Sequence, residues 1–176
     1  VQELAGSSQL TLVKGDVRNP SAVDQAFHAA GDVDGVIHFA GLKAVGESVQ
    51  DPLRYWDVNV NGSRILASAM EAHGCRTLVF SSTSTSYGEP DTFPLREDMT
   101  TAPVHPYAQT KVAVEQMLSA LCRCGPWRVA SLRYFNPVGA HPSGQIGEDP
   151  MGIPNNLFPF ITQVAAGRRE QLRIFG

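Results

Sequence analysis

Cysteine is scarce in this sequence, and the cysteines that are present do not form a stabilising pattern. There are three among 176 residues, an odd number. Cys122 and Cys124 are separated by one residue and have no second pair, which indicates neither a disulfide scaffold nor a zinc knuckle. The five histidines show no metal-ligand spacing either, so we predict no metal site. His38 lies within an apolar run and is interpreted as a core residue.

Blocks of basic residues and long apolar runs are also missing. A formal net charge of -3, with 18% charged residues, argues against nucleic acid as the main partner. No apolar run has the length of a membrane span, and no charged-then-apolar leader opens the sequence. We therefore expect no membrane contact and a reduced, cytoplasmic setting. The hydrophobic content of 43% is typical of a globular protein with a real core.

Short apolar runs alternate with longer amphipathic ones along the chain. They predict strands at residues 10–13, 36–39, 77–81 and 129–134, and helices at 21–30, 52–73 and 107–123. The runs at 36–39 and 78–80 are apolar throughout instead of alternating, which is typical of strands covered on both faces. The alternation predicts an α/β protein with a doubly wound parallel sheet.

The amino-acid composition changes after residue 136. Residues 137–154 hold four prolines and four glycines, which indicates a long loop leading into a second subdomain. We accordingly predict one domain at 1–140 and the start of another at 141–176. The chain begins with Val1 and ends directly after a predicted strand at 171–175, so we expect it to be a piece of a longer protein.

Ligands of doubly wound sheets bind beyond the carboxyl ends of the strands. In this sequence each predicted strand is followed by glycine or polar residues. These segments are 15–17, 40–43, 82–85 and 135–139. The carboxyl edge of the sheet is therefore predicted to form one continuous site.

A tyrosine and a lysine four residues apart open the helix predicted at 107–123. Pro106 suits the first turn of a helix, where its missing N–H costs nothing. At 3.6 residues per turn, Tyr107 and Lys111 share one face, which apolar residues continue at Val114 and Leu118. A cation near a phenol lowers the pKa of the phenol, as a tyrosine base near neutrality requires. The pair is thus a candidate for proton transfer.

Seven segments resemble, in order and spacing, the UDP-glucose 4-epimerase family of the extended short-chain dehydrogenase/reductase superfamily. They are residues 15–18, 38–48, 59–62, 81–88, 107–111, 133–137 and 152–157. The resemblance covers essentially the whole chain. A Tyr-x-x-x-Lys pair alone indicates only the superfamily, whereas residues 40–48 together with 153–157 are typical of the epimerases.

The resemblance implies a Rossmann-type NAD-binding fold that is incomplete in this chain. Residues 1–140 would be a partial dinucleotide-binding domain without its first βα unit, and residues 141–176 the start of a substrate-binding subdomain. NAD is the implied cofactor, and UDP-glucose and UDP-galactose are the implied substrates, interconverted at C4 through a transient 4-keto sugar. The whole protein is expected to be a homodimer. The 176-residue chain is expected to bind NAD poorly and to have little or no turnover.

The resemblance also implies roles for individual residues. Tyr107 corresponds to the catalytic base and Lys111 to the lysine on the nicotinamide ribose, while Thr83 takes the place of the family's usual serine. The implied cofactor contacts are Asp16, Val17, Phe39, Ala40, Gly41, Lys43, Tyr107, Lys111 and Phe135. The implied substrate contacts are Thr83, Asn136, Asn155, Asn156 and Leu157. Phe160 lies one turn further and is either a further cleft residue or a core aromatic.

Two alternatives remain at this stage. A sugar-nucleotide 4,6-dehydratase or decarboxylase of the same superfamily would carry acidic residues just after Thr83, where this sequence has Ser84 and Thr85. A non-catalytic binding protein on the same fold would not need Tyr107, Lys111 and a hydroxyl at position 83. The epimerase is therefore preferred.

Overall fold

The computed structural model describes residues 10–148, 150, 153–154 and 156–174. The described residues group into two compact units, residues 10–135 and residues 136–174. The first unit contains the sheet and most of the helices, and the second contains one helix. The division predicted at residue 140 stays a prediction.

The sheet of the first unit has three parallel strands in the described residues. They are β1 (Val36–His38), β2 (Thr77–Thr83) and β3 (Arg128–Tyr134), in the order β1-β2-β3. His38 pairs with Phe80, and Thr83 pairs with Tyr134. Parallel neighbours require crossover connections, which contain the helices of this unit. The prediction of a parallel α/β sheet is therefore confirmed, as are three of the predicted strands.

Six α-helices are described, with two shorter helical turns between them. The α-helices are α1 (Pro20–Ala30), α2 (Val45–Gln50), α3 (Pro52–Tyr55), α4 (Gly62–Ala72), α5 (Pro106–Cys124) and α6 (Leu157–Ala165). A π-helical turn (Trp56–Asn61) joins α3 to α4, and a 3-10 turn (Ser84–Tyr87) follows β2. The helix predicted at 52–73 is thus interrupted at its centre. The sequence analysis missed α2, which has only six residues, and α6, which contains Pro159 in its first turn.

Two predicted strands are wrong. Residues 10–13 form no strand, and neither do residues 171–174, while Phe175 lies outside the described residues. A strand exists only through ladder hydrogen bonds to a neighbour, however apolar its sequence is. Among the described residues, β1 pairs with β2 alone, so residues 10–13 add no strand to its other edge.

The prediction that the strands are covered on both faces is also wrong for the described residues. Leu78 and Phe80 are buried on one face of the sheet, whereas Ile37 is 65% exposed and Leu132 is 40% exposed. In a strand, successive side chains point to opposite faces. The packed core therefore lies on one face of the three-stranded sheet.

That core is built from α1, α4, α5 and the sheet. Phe27, Met70, Phe80, Val114 and Leu118 are among its buried residues. Burial of each such side chain contributes about 1.5–3 kcal/mol. The apolar face of α5 that the sequence predicted is therefore confirmed, and its packing fixes the helix against β2.

His38 is buried within this core, as predicted. Its Nε2 lies 2.9 Å from the Ser63 hydroxyl oxygen, so the ring has a polar partner. Burial, together with the nearby Lys111 charge, lowers the pKa of His38 to about 4. A neutral, hydrogen-bonded imidazole is compatible with the apolar surroundings.

No helix within the described ranges is both long enough and apolar enough to cross a membrane.

Candidate active site

Three of the predicted site residues, two of them cofactor contacts, lie at the carboxyl edge of the sheet. Phe39 follows β1, Thr83 ends β2, and Phe135 follows β3. Carboxyl ends of parallel strands meet at one edge, so the structure places these three positions on the same side. The Phe39 ring stacks on the Tyr134 ring with a centroid distance of 6.5 Å. Phe39 is 64% exposed and Phe135 is 63% exposed, which leaves two aromatic surfaces available to a ligand.

His105 and Pro106 set the start of α5. Pro106 is the first helical residue, and the Nδ1 of His105 accepts a hydrogen bond of 3.2 Å from the Ala108 N–H. The His105 ring also stacks nearly parallel on the Tyr107 ring, at a centroid distance of 6.0 Å. Burial lowers the pKa of His105, which favours the neutral ring that can accept at Nδ1. The sequence analysis did not predict this capping role.

Lys111 is buried beneath the start of α5. It is 5% exposed, and its Nζ donates a hydrogen bond of 2.8 Å to the carbonyl oxygen of Ser81. The same nitrogen lies 4.9 Å from the centroid of the Phe80 ring and 6.0 Å from that of the Tyr107 ring. Burial lowers the pKa of Lys111 to about 8. The structure thus brings Tyr107 and Lys111 together on one helix face, as predicted.

The predicted lowering of the tyrosine pKa is wrong for this structure. Burial raises the pKa of Tyr107 above its ordinary value, and only the neighbouring Thr83 hydroxyl opposes that rise. Desolvation disfavours the phenolate, and the Lys111 ammonium lies 6.0 Å from the ring centroid with its own charge disfavoured by burial. A lysine four residues away is therefore insufficient by itself to make a phenolate here.

Thr83 ends β2 and begins the 3-10 turn. It is 6% exposed, and its Oγ1 accepts a hydrogen bond of 3.2 Å from the Thr85 N–H. The hydroxyls of Thr83 and Thr85 are also 2.9 Å apart, so either can donate to the other. This arrangement fixes the Thr83 side chain, while a hydroxyl can still both donate and accept.

Asn59 holds the loop that follows β1. Its Oδ1 accepts from the Leu42 N–H at 2.8 Å, and its Nδ2 donates to the Leu42 carbonyl oxygen at 3.1 Å. Nδ2 also donates to the Thr110 hydroxyl at 3.0 Å, which connects the loop to α5. A Cβ at Gly41 would lie 3.0 Å from Asn59 Oδ1, so a larger residue there would press on the Asn59 amide. The sequence analysis gave Asn59 no role, although it opens the resembling segment 59–62.

Asp16 and Val17 lie apart from that loop, before α1. The guanidinium of Arg18 bonds Asp16 Oδ2 at 2.7 Å and Asp57 Oδ2 at 2.9 Å, and so links this turn to the π-helical turn. The side-chain hydrogen bond from Arg18, with a second one from the Arg18 backbone N–H, lowers the pKa of Asp16 to about 2. Asp16 and Val17 also line a largely apolar cavity of about 330 Å³, which Phe27 and Leu66 help to enclose.

The predicted substrate contacts fall in the second unit, except Thr83. Asn156 and Leu157 line a cavity of about 670 Å³ within that unit, together with Phe160. Asn156 Nδ2 donates a hydrogen bond of 3.2 Å to Glu148 Oε1. Asn136 is exposed, and Asn155 lies outside the described residues.

The residues at the carboxyl edge fit a nicotinamide nucleotide. The Lys111 ammonium has three N–H donors, of which Ser81 accepts one, so others can reach ribose hydroxyls. Gly41 brings the backbone of the loop within close reach of Asn59 and Lys111. A parallel α/β sheet with such an edge defines the Rossmann-type dinucleotide-binding class.

The chain belongs to the NAD dependent epimerase/dehydratase family, whose model matches residues 2–176. It is 52% identical over 177 residues to UDP-glucose 4-epimerase of Bacillus subtilis (strain 168), covering 100% of this chain and 52% of that protein. The family resemblance predicted from the sequence is thereby confirmed. The chain spans about half the length of the curated relatives that it matches.

The solved structures that this chain resembles are also UDP-glucose 4-epimerases. A UDP-glucose-4-epimerase from Stenotrophomonas maltophila, with bound NAD and formylated UDP-arabinopyranose, is 45% identical with a TM-score of 0.88, over 96% of this chain and 50% of that one. The Bifidobacterium longum UDP-glucose 4-epimerase, in complex with NAD+ and UDP, is 44% identical with a TM-score of 0.85, over 93% and 49%. The incomplete Rossmann-type fold is thus confirmed, and so is NAD as the cofactor of the family.

Proposed function

We propose that the whole protein interconverts UDP-glucose and UDP-galactose by inverting the configuration at C4, with NAD as a bound cofactor. The arrangement of Tyr107, the buried Lys111 and Thr83 at the end of β2 carries this proposal. Its relatives with 52%, 45% and 44% identity, all UDP-glucose 4-epimerases, support it.

Each of the three side chains has a role in proton transfer. Bound NAD+ would supply the hydride acceptor and donor at C4. The Tyr107 side chain, as the phenolate, takes the proton from the 4-hydroxyl group, and the phenol so formed returns it, while the Thr83 hydroxyl orients the same oxygen. Because burial raises the pKa of Tyr107, the phenolate needs a positive charge nearby to stabilise it. The Lys111 ammonium, 6.0 Å from the centroid of the Tyr107 ring, can supply that charge.

The remaining predicted residues complete the proposal. We assign the cofactor to Asp16, Val17, Phe39, Ala40, Gly41, Lys43 and Phe135, besides Tyr107 and Lys111. The sugar nucleotide is assigned to Asn136, Asn155, Asn156 and Leu157, besides Thr83. The cavity beside Asp16 and Val17 and the cavity beside Asn156 and Leu157 support these assignments.

A dehydratase or decarboxylase is the less favoured candidate. Such an enzyme needs a further acid near the reacting carbon, and Ser84 and Thr85 in the 3-10 turn supply none. Glu115 is the acidic residue bonded to the neighbouring Ser82, but its carboxylate is engaged by Arg133 at 2.7 Å. With both partners bound, this carboxylate is oriented toward Ser82 and Arg133.

The role of Tyr107 is tested by comparing Tyr107→Phe with Tyr134→Phe in the whole protein. Conversion of UDP-galactose to UDP-glucose should fall at least about 100-fold in Tyr107→Phe, because the proton acceptor is removed while the ring remains. Tyr134→Phe also removes one phenol hydroxyl near the sheet edge and should retain turnover. Equal activity of the two variants would refute the assignment of Tyr107.

The role of the hydroxyl at position 83 needs a matched series. Thr83→Ser should retain turnover, whereas Thr83→Val, which keeps the volume and loses the hydroxyl, should lower kcat about 10- to 100-fold. Thr77→Val changes the same residue type at the opposite end of β2 and serves as the control. A product other than the C4 epimer in any of these assays would support the dehydratase alternative.

The 176-residue chain by itself is expected to bind NAD weakly and to turn over little substrate. It contains no Gly-x-Gly-x-x-Gly turn, which cradles the pyrophosphate in this class of fold. Titration with NAD and the epimerase assay measure both quantities, and turnover near that of the whole protein would contradict the expectation. The homodimeric state, the cytoplasmic setting and the absence of nucleic-acid partners stay predictions.

A further inference from the structure

Two histidines converge on one carboxylate at the surface where α1 meets the end of α4. His73 Nε2 lies 2.7 Å from Asp24 Oδ1, and His28 Nε2 lies 3.4 Å from Asp24 Oδ2. One ligand atom from each of the three side chains lies within 4.8 Å of the others. None of the three belongs to the candidate active site. They therefore form a separate cluster with its own chemistry.

The backbone brings the three side chains together. Asp24 and His28 are four residues apart on α1, so they share one helix face. His73 follows the last residue of α4 and reaches the same point from the second helix. The His73 ring is stacked on the Phe27 ring, 5.0 Å between centroids, which fixes its orientation. Only His73 is substantially covered, with 21% side-chain exposure, against 51% for Asp24 and 71% for His28.

We propose that Asp24, His28 and His73 bind a divalent transition-metal ion of the zinc type. Two imidazole nitrogens and one carboxylate oxygen are a common three-ligand set for Zn²⁺, with water at the fourth position. Ligand atoms around a tetrahedral zinc ion lie about 3.3 Å apart, given bonds of about 2.0 Å. The two imidazole nitrogens lie 2.7 Å and 3.4 Å from different oxygens of Asp24, and one ligand atom of each residue lies within 4.8 Å of the others, so side-chain rotations can bring the three atoms to that spacing.

Binding changes the tautomer of His73. Its Nε2 now shares a proton with the Asp24 carboxylate, whereas a metal-bound Nε2 must offer its lone pair. The proton on the ring moves to Nδ1, and the ion takes the place of the hydrogen bond. The metal would then link α1 to the end of α4, two helices that pack together in the core.

The nitrogen-rich ligand set predicts selectivity. Imidazole suits Zn²⁺, Ni²⁺, Co²⁺ and Cu²⁺, whereas Mg²⁺ and Ca²⁺ prefer sites made of oxygen ligands. We expect zinc to raise the unfolding temperature of the chain, because an ion that binds the folded state stabilises it. Magnesium at the same concentration should leave it unchanged.

The first experiment measures zinc affinity with zinc chloride and a chromophoric chelator as competitor. His28 is largely exposed, so His28→Ala should fold normally and weaken zinc binding at least about 10-fold. His141→Ala is the matched control, since His141 is exposed in the second unit and its imidazole forms hydrogen bonds with Ser143, a residue outside the cluster. Equal zinc affinity in the wild type, His28→Ala and His141→Ala would overturn the proposal.

Thiols are the competing zinc ligands in this chain, because Cys122 and Cys124 are both exposed. The affinities are therefore also measured with both cysteines changed to serine. If this double variant still binds zinc and loses that binding when His28→Ala is added, the result supports the cluster as the zinc site. Loss of binding in the chain with Cys122 and Cys124 changed to serine, without His28→Ala, would assign the ion to these thiols and overturn the proposal.

NMR spectroscopy of the wild type tests the zinc ligands without a variant that could destabilise the fold. His73→Ala removes a ring that stacks on Phe27 and so can weaken the fold, which makes it a poor sole test. In the wild type, zinc should shift the imidazole NMR signals of His28 and His73 together and leave those of His141 unchanged. Shifts confined to other histidines would refute the ligand set.

Discussion

The ammonium nitrogen of Lys111 donates a hydrogen bond to the carbonyl oxygen of Ser81, 2.8 Å away. Ser81 lies in β2 two residues before Thr83, so this bond ties the start of α5 to the strand that carries the hydroxyl of the site. The packing of Val114 and Leu118 against the sheet completes the attachment. Tyr107 therefore occupies a fixed position relative to Thr83.

Lys111 should make stability depend on pH in the alkaline range. Its pKa is lowered from 10.5 to about 8 in the folded chain, so between these values the unfolded chain binds more protons. The free energy of unfolding must then rise as pH rises from about 8 to about 10.5, by about 3 kcal/mol at most. Urea unfolding across this window measures the rise.

Lys111→Met provides the comparison, because methionine fills a similar volume without a titrating group. The variant should lack the part of the rise that Lys111 causes. Lys43→Met, at an exposed lysine, should retain it. An identical pH dependence in the wild type and Lys111→Met would contradict this prediction.

Glu115 and Arg133 should be important for stability. Their ion pair of 2.7 Å is mostly covered, and Glu115 also accepts from Ser82 while Arg133 donates to Tyr87 at 2.9 Å. Glu115→Gln leaves the guanidinium without its counter-ion and should lower the free energy of unfolding by about 2–3 kcal/mol. Urea unfolding measures the change. Asp98→Asn removes an ion pair whose side chains are 72% and 74% exposed, and it should have no measurable effect.

Asn59 should control the loop that follows β1. Asn59→Ala leaves the Leu42 N–H and carbonyl without their partner, and should lower the free energy of unfolding by about 1–3 kcal/mol. If the loop contacts NAD as proposed, the Kd for NAD of the whole protein should rise as well. Asn61→Ala removes an exposed amide that bonds Asp57 in the same helical turn and is the control. A variant with normal stability and normal NAD affinity would refute the role of Asn59.

His105 should make the start of α5 sensitive to acid. Burial lowers the pKa of His105 in the folded chain, so its contribution to stability is present above the unfolded value of 6.5 and is lost as pH falls below it. Protonation of Nδ1 also removes the acceptor for the Ala108 N–H. His105→Asn keeps a capping acceptor that does not titrate, and should show a smaller loss of stability in acid. Chemical unfolding on both sides of 6.5 tests this, and equal losses would contradict it.

Much of the fold could be predicted from local sequence pattern. The runs at 36–39, 77–81 and 129–134 form strands because each pairs with a neighbouring strand through its backbone. Apolar side chains of these strands also pack on the helices. The same pattern failed at 10–13, where the described sheet offers no partner strand. The interruption of the helix at 52–73 was not predicted; within the π-helical turn, Asn59 bonds Leu42 and Thr110, which are distant in sequence.

In the candidate site, the identities of the residues were predicted better than their electrostatic surroundings. Tyr107, Lys111 and Thr83 were identified from their motifs, and the structure places Tyr107 and Lys111 on one face. The polarity of their surroundings could not be predicted, because desolvation depends on neighbours that are distant in sequence. Hence the pKa of Tyr107 is raised where the spacing alone predicted that it is lowered.

By itself, the sequence determined three strands, the longer helices of the first unit, the parallel sheet and the membership of a family, because periodicity and motifs are local properties. Only the tertiary structure decided which face of the sheet is packed, how strongly Lys111 is desolvated and which residues hold the loop at Gly41. It also brought His73 to Asp24, 49 positions earlier in the chain. Such contacts arise from packing between different elements, so the residue spacing within a single helix or strand does not predict them.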